Sequence, residues 1–117
     1  MMTPKSKKVL ESGPFERLFT GNATARMLDF LVASQEFDYS ESDIARYSGV
    51  SLRHAQLAIP KLAGLGIIFQ TRTSGRSKMY RLNKNNKVGV ILEQLAFQLT
   101  GAEIKSEAGM EVTPVRT

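Results

Sequence analysis

The segment Ser40-Glu-Ser-Asp-Ile-Ala-Arg-Tyr-Ser-Gly-Val-Ser51 constrains the fold of this chain more than any other. Ser40 followed three residues later by Asp43 is a capping-box-like helix start, with the carboxylate expected to reach back to the first free amide. Ala45 is small where a second backbone must approach, and Gly49 tolerates the positive φ of a tight turn. Val50 is placed to drop between two helices, and Ser51 caps the second of them. Two short helices joined by such a turn are a helix-turn-helix.

The flanking sequence extends the pattern. Pro14 opens a short helix in which Phe15, Leu18 and Phe19 share a face. Asn22 caps a helix over 23–35 whose wide apolar arc predicts packing on more than one side. Phe37-Asp38-Tyr39 reads as an edge strand. The helix opened by Ser51 runs to about Leu65, with Ala55, Ile59 and Leu62 inward and Gly66 ending it. Pro60 lies inside it, so a kink or break is expected after Ile59. Ile67 to Arg72 and Ser77 to Leu82 form a hairpin around Ser74-Gly75, with Phe69, Tyr80 and Leu82 expected to anchor it to the helices. Asn86 caps a last helix over 87–99. The fold class is therefore mainly α with a small β-hairpin: a winged helix-turn-helix, tri-helical core plus wing, with flanking N- and C-terminal helices. Residues 1–13 and 101–117 read as flexible tails around a domain at 14–100.

Charge distribution points to the ligand. Between Ser51 and Lys87 stand eight basic residues and no Asp or Glu, whereas Asp29 to Asp43 holds five acids and no base. A long acid-free basic stretch suits a polyanion. In the helix after the turn, Ser51, Leu52, Arg53, His54, Gln56 and Leu57 are the candidate DNA-binding residues. Arg53 suits guanine O6 and N7, Gln56 suits adenine N6 and N7, and Ser51 with the free amides near it suits a phosphate. His54 reads equally well as a base contact or as a half-buried spacer. In the wing, Arg72, Ser74, Gly75, Arg76 and Lys78 are placed to meet a minor groove or the backbone beside it.

Four segments carry a family resemblance: Tyr39 to Ala45, Gly49-Val50-Ser51, Leu65-Gly66-Ile67-Ile68, and Gly75 to Asn83. Together they resemble the archaeal single-domain winged-helix regulators, within the broad group that includes the MarR-like and ArsR-like proteins. The resemblance runs from Phe15 to Leu99 and departs from the pattern at Pro60. It implies double-stranded DNA binding as a dimer and a role in transcriptional control.

For the dimer, the last helix is expected to turn Val88, Ile91, Leu92, Leu95 and Leu99 to its own domain. Val90 and Phe97 lie opposite, and with Phe15 and Phe19 they are the candidate interface. A plasmid or viral partition, replication or DNA-coating protein uses the same fold and stays open, as does a winged-helix protein-interaction module. An enzyme fits least: the chain has no Cys and one His, and no Walker loop, His-Glu-x-x-His or plausible Ser-His-Asp arrangement. No cofactor and no metal are expected. With no secretory or membrane-length apolar run, a cytoplasmic, nucleoid-associated location is expected. The operator, the sign of regulation and any effector are not legible in the sequence.

Overall fold

A computed structural model describes residues 12–107. The tails expected at 1–13 and 101–117 therefore lie in large part outside the described residues. The order is α1 (Pro14–Leu18), α2 (Ala23–Ala33), β1 (Tyr39–Ser40), α3 (Glu41–Ser48), α4 (Leu52–Gly64), β2 (Ile68–Ser74), β3 (Ser77–Leu82) and α5 (Lys87–Glu107). The strands form one antiparallel sheet in the order β1-β3-β2.

Each helix after α1 begins where a short polar side chain can satisfy a free amide. Asn22 Oδ1 accepts from Ala25 N at 2.9 Å, and Ser40 Oγ from Asp43 N at 3.1 Å. Ser51 Oγ accepts from His54 N at 3.0 Å, and Asn86 Oδ1 from Val88 N at 2.8 Å. Replacing such a cap with Ala typically costs about 0.5–2 kcal/mol. The reciprocal half of the box at Ser40 does not form. Asp43 instead pairs with Arg46 one turn on, at 2.7 Å. Gly49 sits at φ 73°, the left-handed stop that the turn requires.

Helices α2, α3 and α4 enclose the main core with the root of the hairpin. Met27, Leu31, Ile44, Ala55, Ile59, Ile68 and Leu82 are all nearly inaccessible to solvent. Phe30, Tyr39 and Tyr47 form an aromatic group that ties α2, β1 and α3 together, with ring centroids 4.8–6.1 Å apart. Tyr80 and Leu82 anchor the wing as expected, but the anchor on β2 is Ile68 and not Phe69. With the strand period of two, Ile68 turns inward and Phe69 outward.

Three expectations are corrected. The break expected as one outcome at Pro60 does not occur: α4 is continuous from Leu52 to Gly64. Pro60 faces solvent, so the Gln56 carbonyl that loses its amide partner lies on the outer side of the helix, where water can reach it. Helix α5 passes through Gly101 to Glu107, the last described residue, so residues 101–107 are helical. Arg17 holds this added turn through a bidentate contact to Glu103, at 2.9 and 2.6 Å. Finally, Phe15 is 1% exposed and packs in a second small core with Ala25 and Ala96, while Leu18 and Phe19 face out.

Candidate nucleic-acid interface

The outer face of α4 is set by its inner one. Ala55, Ala58, Ile59 and Leu62 are buried, so Leu52, Arg53, Gln56 and Leu57 are turned away from the core, and all four are exposed. Ser51 is exposed at the N-cap, its hydroxyl already engaged by His54 N. His54 meets the neighbouring helix. Its Nε2 lies 2.9 Å from Thr24 Oγ1 on α2, and the ring is half-buried. Both features are those expected of the half-buried spacer.

The wing separates the basic residues further. Its two-residue connection is Gly75-Arg76, with Ser74 opposite Ser77 and Gly75 at φ 62°. Positive φ at the first position only is the pattern of a type II′ turn, whose twist suits a hairpin. Arg76 and Lys78 line a cleft of about 300 Å³ between the wing and the start of α3, facing Ser40, Glu41 and Ser42. Ser74, Gly75, Arg76 and Lys78 are all exposed.

Arg72 does not join them. The register of β2 against β3 shifts between Gln70 and Arg72, leaving Thr71 as an extra residue. In a regular strand, neighbours point to opposite faces; the bulge breaks that rule. Both Thr71 Oγ1 and the Arg72 guanidinium donate to the Asp38 carboxylate. The Arg72 and Thr71 hydrogen bonds hold the Asp38 carboxyl at about 2, well below its ordinary value. Arg72 thus braces the wing's base, while its side chain stays 59% exposed.

Other bases are also committed at home. Lys84 approaches Glu93 at 3.5 Å, and Arg81 donates to the Gln35 carbonyl at 2.7 Å. Of these contacts, only that of Arg72 with Asp38 pairs a base of the basic run with an acid of the acidic run. Arg53, Lys61, Arg76, Lys78 and Lys87 make no ion pair among the described residues, and all five are exposed.

A second surface lies along α5. Leu92, Ala96 and Leu99 face the domain. Val88, Ile91 and Leu95, expected inward, are 43%, 59% and 43% exposed, and Phe97 is 76% exposed. Phe19 is exposed and Val90 half-buried, so of the four interface candidates only Phe15 is closed to a partner. The described residues include no group of three or more His, Cys, Asp or Glu side chains placed to hold a metal. No helix among them is long and apolar enough to cross a membrane.

A capped helix-turn-helix closed by a three-stranded sheet with a projecting hairpin is a winged-helix domain. Solved structures of similar shape agree. Crystallised MepR, a transcription regulator of the Staphylococcus aureus multidrug efflux pump MepA, superposes with a TM-score of 0.61 at 18% identity, covering 82% of this chain and 70% of that one. A point variant of S. aureus MepR bound to an oligodeoxyribonucleotide gives 0.59 at 19% identity, over 86% and 71% of the two chains. A second variant gives 0.62 at 16% identity, over 81% and 69%. At these identities the likeness is one of fold. No family model matches the chain, and no characterised protein matches it by sequence.

Proposed function

We propose that this chain is a sequence-specific double-stranded DNA-binding protein, acting as a dimeric transcriptional regulator and not as an enzyme. The observation that carries the reading is the outer face of α4. It presents Arg53 and Gln56, side chains suited to base edges, on a helix cap suited to phosphate, with no acid on the same element. The N-terminal half of α4 lies in the major groove, and Ser74, Gly75, Arg76 and Lys78 follow the adjacent backbone or minor groove. A MepR variant, of the same fold, is solved bound to an oligodeoxyribonucleotide, which supports this reading.

The dimer surface is the side of α5 that carries Val90 and Phe97, opposite Val88 and Leu95, with Phe97 at its most exposed point and Phe19 as a further candidate. A two-fold dimer would set two recognition helices about 34–36 Å apart, matching a palindromic site.

The test is the salt dependence of binding. A dimer neutralising on the order of 6–10 phosphates loses about 10³–10⁵ in affinity between 50 and 200 mM salt. Flat affinity for mixed genomic DNA over that range would overturn the proposal and favour a protein-interaction module. Footprinting divides the remainder: a regulator protects one short palindrome, whereas a partition or coat protein spreads from its site.

A further inference from the structure

The outer face of α4 carries more apolar surface than readout of polar base edges requires. Leu57 is 65% exposed and Leu52 45% exposed, and Pro60 lies on the same side. A single exposed leucine is ordinary on any surface. Here, however, the apolar and polar side chains alternate in a definite way. Residues four apart stack on one row of a helix, so Leu52 stands over Gln56 and Arg53 over Leu57. Each row joins one hydrogen-bonding side chain to one apolar one. Lys61 extends the second row by a further turn, and no acid interrupts the face.

That pairing matches a chemical feature of the major groove. Guanine offers O6 and N7, adenine offers N6 and N7, and thymine alone offers a methyl group there. Resting on the proposed DNA-binding function, we infer that Leu57 reads the C5 methyl of a thymine, next to a guanine read by Arg53. Four residues of helix rise by about 6 Å, and base pairs stack about 3.4 Å apart, so the thymine lies within about two base pairs of that guanine. The row of Leu52 and Gln56 suits an A·T pair in the same way, the amide on adenine and the leucine on its partner's methyl.

Charge argues for DNA as the occupant of this apolar face. Arg53 and Lys61 flank Leu57 and have no ion-pair partner among the described residues. Leu57 has little structural work to do: its side chain adds almost nothing to the core, which Ala55, Ala58, Ile59 and Leu62 already supply from this helix.

The experiment selects the preferred duplex with the full chain, then replaces each thymine in turn with uracil, which lacks only the methyl. For the wild type, uracil at one position within about two base pairs of the Arg53-dependent guanine should weaken binding roughly three- to tenfold, the worth of one buried methyl. Leu57→Ala should lose that penalty while keeping the guanine preference. Its fold should be intact by circular dichroism, since Ala is the best helix former and the site is exposed. An equal uracil penalty in Leu57→Ala, or no penalty at any thymine, would overturn the inference. Salt-dependent binding would persist in both cases, so the DNA-binding reading would stand. If the chain binds no DNA in a salt-dependent way, that reading and this inference fall together.

Discussion

Asp38 accepts the Arg72 guanidinium through both carboxylate oxygens, from Nε at 3.0 Å and from Nη2 at 3.1 Å. The two residues are 34 apart in sequence, and the contact joins the segment before β1 to the base of the wing. Thr71 donates to the same carboxylate, so three side chains meet where β2 bulges. The position of the wing relative to α3 is thus fastened by polar contacts at its root and by Ile68, Tyr80 and Leu82 behind it.

Replacing Asp38 by Asn should loosen this root without unfolding the helices. Amide exchange should quicken at Arg72, Thr73, Lys78 and Met79, while the core of α2, α3 and α4 keeps its protection. The sign of the pH effect follows from the lowered pKa of Asp38. The clamp is fully present above the ordinary carboxylate value and is lost as pH falls through about 2. An acid titration of the wild type should therefore show a wing-specific change below about pH 4, absent in Asp38→Asn. Unchanged exchange in the variant would remove the clamp as a positioning contact.

Asp29 plays a comparable part for α1. Its buried carboxylate accepts from Phe15 N at 2.8 Å and from Glu16 N at 2.9 Å. A Cβ at Gly13 would stand 2.5 Å from Asp29 Cγ, so the chain needs glycine there to approach so closely. Asp29→Asn turns one acceptor into a donor facing a donor and should cost about 1–3 kcal/mol in urea denaturation. Gly13→Ala should weaken the same contact, so the pair should lose less together than the sum of the two. Burial raises the Asp29 pKa against the lowering by these amides. Its contribution to stability is therefore greatest below the ordinary carboxylate value and declines as pH rises through the raised one. The difference between wild type and Asp29→Asn should follow that sign; an opposite slope would contradict the assignment.

Arg53 and Arg76 should fail differently. Arg53→Ala should relax preference at one or two base positions, at a cost of about 1–3 kcal/mol. Arg76→Ala should weaken all sequences about evenly and reduce the salt slope by about 1. Binding-site selection and a salt titration on both variants check this. If Arg76→Ala shifted the selected sequence and Arg53→Ala did not, the two roles would have to be exchanged.

If the proposed dimer forms through α5, Phe97→Glu should convert it to monomers in analytical ultracentrifugation. Phe97 is 76% exposed within one chain, so the substitution should leave the fold intact. A dimer that survives the change would move the interface off this part of α5.

Much of the helix-turn-helix was legible because its signals act over three or four residues. The hydroxyls of Ser40 and Ser51 each reach one amide three positions on, and Gly49 acts through its own φ. The same logic placed the inward row Ala55, Ile59 and Leu62. It was weaker for α5. Apolar positions there occur around most of the helix, so periodicity alone could not choose which row meets the domain. Packing chose Leu92, Ala96 and Leu99 and left Val88, Ile91 and Leu95 outside. The run beyond Gly101 is helical against its local signal for a related reason. Glycine has low helix propensity, yet the Arg17 contact to Glu103 holds the extra turns in place.

Sequence by itself determined where elements begin and turn, because caps, proline at a first helical position and left-handed glycines are local chemistry. It also determined that α4 shows one face to the core and one to its surroundings. Tertiary structure alone decided which partners the charged and ring side chains meet. Asp38 pairs with Arg72, Thr24 meets His54, and Asp29 holds the Phe15 amide, through contacts 14 to 34 residues apart. Such pairings depend on how helices and the bulged strand approach in space, which no spacing along the chain encodes.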